Sequence, residues 1–256
     1  IFLRCVYMQT FADIHGELHG GMWSIVGRVG GKSRLKKTII DLLPEHTTYV
    51  EPFVGGGAVF FGKEPSSHEV VNDLDTDIYH IYSDMKAVRE KMKNVNFAPS
   101  RKLFNMLKNK TTFSSKADRL HRNLYISVNS YRKGRQTYVG EKEQKRVEHQ
   151  DRGERYKTTQ YKDRLKDVTI LNKDWKHVVK KYDSKTTLFY IDPPYSMAAT
   201  NNDYNHNDVS IDELYDVLKN IKGFFLLSYD FNQEIRKKFR GYKIRTVNTQ
   251  YATPTD

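Results

Sequence analysis

The sequence predicts an α/β protein built on a doubly wound, mostly parallel sheet. Three observations carry that prediction. Short apolar runs alternate with amphipathic helical patterns along most of the 256 residues, as in sheets whose strands are joined by helical crossovers. One run, Thr187–Ile191 (TLFYI), is apolar without alternation, the mark of a strand buried on both faces. A glycine-rich turn, Gly55–Gly57, stands between a strand pattern and a helix pattern, where such sheets bind ligands.

The elements follow in order. Ser33–Leu43 reads as a helix: Leu35, Ile39, Leu42 and Leu43 share one face, and Pro44 stops it. Thr48–Val54 reads as a strand running into the glycines, and Ala58–Phe61 as a short helix beyond them. Glu69–Asn72 is a short strand. Asp75–Asn94 is a helix, with Ile78, Ile81, Met85, Val88 and Met92 at three- and four-residue steps. The alternation resumes with a strand at Val168–Leu171, a helix at Asp174–Lys181 and the apolar strand Thr187–Ile191. Ser210 and Glu213 form a capping box that opens a helix to about Lys222. Gly223–Tyr229, Asn232–Phe239 and Tyr242–Val247 complete the pattern as strand, helix and strand, and a further strand is expected near the terminal Tyr251–Asp256.

Between the two halves of this alternation lies a different kind of sequence. Residues 97–166 hold 19 Lys and Arg against 7 Asp and Glu, a net of +12, which equals the net charge of the whole chain. Aromatic residues are interleaved there, among them Phe97, Phe104, Tyr125, Tyr131 and Tyr138. A basic, aromatic-bearing segment beside a neutral body reads either as a nucleic-acid surface or as a solvated insertion. The expected organisation is therefore a body of residues 22–96 and 167–256 carrying an inserted, largely helical subdomain at 97–166. Residues 1–21 show no clear period and lack the basic, apolar, small-residue order of a secretory signal. They are treated as an extension outside the fold.

Composition narrows the chemistry. Mean hydropathy is −0.72, and no apolar stretch approaches a membrane span. The single cysteine, Cys5, excludes an internal disulfide and a cysteine-based zinc site. The nine histidines show no metal-ligand spacing, so no metal is expected. The run Gly27–Ser33 ends like a phosphate-binding loop, but only three residues separate Gly27 from Gly31 where that loop needs four.

Two motifs carry the site. Asp192-Pro193-Pro194-Tyr195 follows the apolar strand. It offers a carboxylate on a rigid backbone, proline carbonyls free to accept hydrogen bonds, and an aromatic face. Glu51-Pro52-Phe53-Val54-Gly55-Gly56-Gly57 follows an earlier strand, and Asp73 stands 18 residues after Gly55, where a carboxylate grips a ribose diol in dinucleotide folds. Phe60 stands where a dinucleotide fingerprint needs a small residue. The turn therefore suits a nucleoside-bearing cofactor without a pyrophosphate.

Taken together, these residues resemble the Dam-like (D12 class) site-specific DNA adenine-N6 methyltransferases. IIDLLPEHTTYVEPFVGGGAVFF is similar to that family's glycine motif with its preceding helix. GGKSRL resembles its N-terminal cofactor motif, NDLDTDI its acidic motif and LFYIDPPY its catalytic motif. The order also agrees, with the recognition insertion before the DPPY. The resemblance covers roughly Met22 to the C-terminus and is weakest in the middle, where SVNSYRKGRQTYVG gives no recognition sequence.

The resemblance implies an S-adenosylmethionine-dependent methyltransferase fold. It further implies a cofactor site of Lys32, Glu51, Phe53, Gly55, Gly57, Asp73, Asp174 and Trp175, and catalysis by Asp192, Pro193, Pro194 and Tyr195 on a flipped-out adenine. DNA contacts are expected at Asn129, Tyr131, Arg132, Lys133 and Arg135. The implied partner is double-stranded DNA, with no membrane and no obligate protein partner. A cognate restriction endonuclease would act separately, in the cytoplasm of a bacterium or a phage-infected host. A DPPY site also suits cytosine N4, and a DNA-binding relative with an inactive body is the alternative from another class.

Overall fold

The chain is described here as a computed structural model covering residues 4–11, 22, 24–26, 35–88, 95–130, 138, 156, 159–194, 209–230 and 233–249. Seven strands form one sheet: β1 (Arg4–Phe11), β2 (Thr48–Glu51), β3 (His68–Asn72), β4 (Thr169–Leu171), β5 (Thr187–Ile191), β6 (Phe224–Asp230) and β7 (Lys243–Thr249). Their order is β4-β3-β2-β5-β6-β1-β7, and every pairing is parallel.

Pleating sends alternate residues of each strand to opposite faces. Tyr49, Leu188, Tyr190 and Leu226 enter one apolar cluster, whereas Val50, Phe189, Ile191, Phe225 and Leu227 enter another on the far face. Both faces are thus covered, which is why β5 is buried at all five positions and shows no polar alternation.

The first face carries α1 (Lys36–Ile40), α2 (Ala58–Gly62), α3 (Thr76–Ala87), α4 (Arg101–Lys108), α5 (Lys116–Asn129) and α6 (Gln160–Leu165). The second carries α7 (Trp175–Tyr182), α8 (Ile211–Leu218) and α9 (Gln233–Lys238). Side chains cap the starts of several of these helices. Asp75 accepts from the Asp77 and Ile78 N–H groups, and Ser100 and Ser115 open α4 and α5. The Ser210–Glu213 capping box is present on α8. Among the described residues no helix is long and apolar enough to cross a membrane.

Three expectations change. Arg4–Phe11, read from sequence as lying outside the fold, is an interior strand paired with both β6 and β7. Edge pairing is made by backbone groups and leaves no mark in the residue pattern, and RCVYMQTF shows neither a clean alternation nor a continuous apolar run. The helix expected to run to Asn94 ends at Ala87, where Val88 turns extended (φ −67°, ψ 119°). The described part of 97–166 has no separate core. Phe97, Phe104, Leu120, Leu124, Tyr125 and Tyr161 share one cluster with Tyr49, Phe61, Ile78 and Ile81 of the body.

Charge pairs tie the segment down. Arg119 on α5 grips the buried Asp84 of α3 through two bonds of 2.7 and 2.8 Å, and Arg122 reaches Asp77 at 3.0 Å. Arg164 on α6 lies over the Phe60 ring at 4.0 Å and bonds both carboxylate oxygens of Glu69.

Candidate active site

The chain winds from β2 outward through β3 to β4, then returns to β5 on the other side of β2. That reversal makes a topological switch point at the carboxyl ends of β2 and β5, the place where open parallel sheets take ligands. Glu51 is the last residue of β2, and Asp192 follows the last residue of β5. Asp73 follows the last residue of β3. The three carboxyls therefore stand along one edge of the sheet.

The turn after β2 is shaped by its glycines. Gly55 and Gly57 both take positive φ, 48° and 69°, a conformation that costs a side-chain-bearing residue about 1–2 kcal/mol. A Cβ on Gly57 would also fall 2.4 Å from the Tyr82 hydroxyl. That hydroxyl donates to the Gly55 carbonyl at 3.2 Å. The Gly55 N–H donates to Asp73 Oδ2 at 2.8 Å, and the Asp75 N–H to Asp73 Oδ1 at 2.9 Å. The turn and the acid are thereby locked together.

Asn72 fastens three strand ends at once. Its buried amide donates to the Pro52 and Lys173 carbonyls, each at 2.9 Å, and accepts from the Lys173 N–H. Beside it, Asn172 donates to the carbonyls of Asp73 and Leu74. Leu74 itself is 53% exposed, leaving an apolar surface open next to Asp73.

An aromatic pair walls the other side: Phe53 and Trp175 rings lie 5.7 Å apart, tilted by 40°. Trp175 is buried and Phe53 half-buried, while the exposed Asp174 caps α7 by accepting from the Lys176 N–H.

With this geometry in place, comparison with known proteins is direct. The sequence model of the D12 class N6 adenine-specific DNA methyltransferase family matches residues 29–253. The chain belongs to that family. The methyltransferase is 27% identical over 260 residues to Type II methyltransferase M1.LlaDCHI of Lactococcus lactis subsp. cremoris, covering 87% of each chain. It is 24% identical over 246 residues to Type II methyltransferase M.CviBI of Paramecium bursaria Chlorella virus NC1A, covering 90% of each. The family supports adenine N6 over cytosine N4 as the amine, and its members generally use S-adenosylmethionine.

The predicted site residues of the methyltransferase fall into three groups. Glu51, Phe53, Gly55, Gly57, Asp73, Asp174, Trp175, Asp192, Pro193 and Pro194 come together at the carboxyl end of the sheet. Lys32, Tyr131, Arg132, Lys133, Arg135 and Tyr195 lie outside the described residues. Asn129, expected on the DNA, does not reach the surface. It is buried in α5, and its amide donates to the Tyr125 carbonyl at 3.1 Å and the Phe97 carbonyl at 3.4 Å. Sequence reading missed Asn72 and Tyr82, whose partners are distant in the chain, and Tyr49, which bonds Glu51 two residues on along the same face of β2, a spacing the strand period could have shown.

Glu51 is the electrostatic centre of the site. Burial pushes its carboxyl up to about 8, and the Asp192 charge adds to that. The opposing pulls come from the Tyr49 hydroxyl, which donates to Glu51 Oε2 at 2.7 Å, from Lys63 and from the Phe60 backbone N–H.

Proposed function

We propose that the methyltransferase acts on an adenine swung out of duplex DNA, with the switch point between β2 and β5 as its active site. The observation that carries this is the alignment of Glu51, Asp73 and Asp192 on one sheet edge, with the Gly55–Gly57 turn among them.

The residues fit S-adenosylmethionine. The Asp73 carboxylate, held by two backbone N–H groups, would accept from a ribose diol, and Leu74 and Phe53 would offer apolar surface for a nucleoside. Gly55, Gly57 and Glu51 would shape the pocket, with Asp174, Trp175 and Lys32 at its margins. When bound, the cofactor supplies an electrophilic methyl group on a sulfonium.

The chain's own part is to make a poor nucleophile attack. The adenine amine is deactivated because its lone pair is conjugated with the ring. Asp192 accepts one N6–H bond and the Pro193 carbonyl accepts the other, which draws the nitrogen toward tetrahedral geometry and stabilises its developing positive charge. Tyr195 stacks on the base, and Pro194 stiffens the loop. The base must leave the duplex because the amine cannot be approached correctly inside the stack. Residues 97–166 act as the DNA-recognition segment, with Tyr131, Arg132, Lys133 and Arg135 on the duplex, and residues 22–96 and 167–256 as the catalytic body. The setting is the cytoplasm of a bacterium or a phage-infected host, with any cognate endonuclease acting separately.

The test is methyl transfer from labelled S-adenosylmethionine to unmethylated duplex DNA, followed by nucleoside analysis. Label in N6-methyladenine is expected. Asp192→Ala should abolish transfer while DNA affinity stays within a few-fold of wild type; retained turnover would remove Asp192 from the mechanism.

A further inference from the structure

Among the described cations of the 97–166 segment, two kinds stand out. Lys110, Arg119, Arg122 and Arg164 are neutralised within the protein by Asp118, Asp84, Asp77 and Glu69. They hold the segment to the body and add little to any external field. Arg101 and Lys102 on α4 differ: among the described residues neither forms an ion pair with a carboxylate. No acidic residue occurs in the sequence between Glu90 and Asp118, whereas seven Lys and Arg do.

Helical geometry gathers these cations on one stripe. Phe104 and Leu107 turn into the core, so Arg101, Lys102, Asn105, Met106 and Asn109 are left exposed at spacings of one and four residues. Met106 is 60% exposed, with Lys102 one turn before it. An apolar side chain held in water among cations and amides suits a polyanion that also has apolar parts.

The stripe is joined to the active-site side of the molecule. The Arg101 guanidinium lies over the Tyr138 ring at 5.1 Å, and Tyr138 pairs with Ser130, the C-cap of α5, in an antiparallel bridge. At the entry to α4, the Phe97 ring meets Tyr156 at 5.4 Å. The Tyr156 hydroxyl donates to the Ile25 carbonyl, and the Ile25 N–H donates to Gly56 in the glycine turn.

We propose that the exposed face of α4 is a second DNA-contacting surface of the methyltransferase, with Arg101 and Lys102 on backbone phosphates and Met106 packed on sugars and base edges. It rests on the reading that the chain methylates duplex DNA, and it adds a surface to the one expected at 131–135. The charge complementarity is direct, since a duplex carries a negative charge about every 1.7 Å of its axis. A helix also fits the width of the major groove.

Salt dependence separates the two kinds of contact. The experiment compares the full chain with Arg101→Gln/Lys102→Gln, with Met106→Gln, and with Lys180→Gln/Lys181→Gln on the opposite face as an equal change of charge. Binding to an unmethylated duplex is followed by fluorescence anisotropy across a salt series. The Arg101/Lys102 variant should flatten the slope of log K against log salt by about 1.8, roughly 0.9 for each lost phosphate contact, and weaken binding about 10-fold at moderate salt. Met106→Gln should weaken binding several-fold with the slope unchanged. The α7 variant should alter neither, and S-adenosylmethionine affinity should hold in all three. If the α4 variants match the α7 control while the wild type binds and methylates duplex DNA, this surface is refuted and the functional reading stands. A wild type that binds the cofactor but no duplex would overturn both.

Discussion

Glu51 is a carboxylic acid placed where a carboxylate is expensive. It is buried at the end of β2, bonded by Tyr49 and faced by Asp192, and its pKa is raised from the ordinary 4.5 to about 8 chiefly by burial. Between those two values the folded chain holds a proton that the unfolded chain has released. Stability therefore falls as pH rises through this window, by up to about 1.4 kcal/mol per unit, and levels off above the folded value. Glu51→Gln keeps the shape without the titration. Urea unfolding of both proteins from pH 5 to 9 should show the variant gaining on wild type as pH rises; parallel curves would mean that Glu51 is charged throughout. Of the site residues, those set by a local pattern were legible. TLFYI followed by Asp192, the Gly55–Gly57 turn and Asp73 each sit where period and spacing indicate. Asn129 was misread because its value to a ligand depends on whether α5 turns it outward. Its amide instead bonds back to the Tyr125 carbonyl one turn earlier and across to Phe97.

Elements hold the site together through pairs that no local window contains. The α3–α5 clamp joins residues 35 apart in the chain, Asp84 to Arg119, with the Asp84 side chain only 1% exposed. Arg119→Ala would leave that carboxylate buried and unpaired, a loss of about 3–5 kcal/mol. Chemical denaturation should register it, and the double variant Asp84→Ala/Arg119→Ala should recover part of the loss, since no charge is then stranded. Equal losses in the single and double variants would make the clamp a packing contact only. The capping box of Ser210 and Glu213 and the helix start at Asp75 were readable beforehand, because a helix start is signalled within its own first turn. The end of α3 at Ala87 was not: Val88 and Met92 continue the apolar period, yet the chain leaves the helix at Val88.

At the scale of the whole molecule, the described part of residues 97–166 and the rest of the chain are joined by a common core. Helices α4, α5 and α6 share an apolar cluster with β2, α2 and α3, and the Lys63–Glu69–Arg164 cluster ties α6 to the strand beside the glycine turn. Burial alone would raise Glu69, but Arg164 and Lys63 outweigh it and hold that carboxyl below its usual range. One core implies one cooperative unfolding. Tryptophan fluorescence and far-ultraviolet circular dichroism should therefore report coincident transitions in urea. Two separated transitions would make 97–166 an independently folding unit.

What the sequence determined by itself was the alternation of strands and helices, the strand-turn-helix containing the glycines, the Asp-Pro-Pro-Tyr run after its apolar strand, and the segregation of charge. All of these are set by near neighbours, because periodicity, capping and turn chemistry act within a few residues. Tertiary structure alone decided that Arg4–Phe11 is an interior strand, since a strand needs edges to pair with and those edges are β6 and β7. It also decided which cations face outward. Arg119, Arg122 and Arg164 read in sequence like Arg101 and Lys102, but each meets a carboxylate brought from elsewhere in the chain. A charge is neutralised by whatever lies within a few ångströms in space, and the order of residues does not contain that distance.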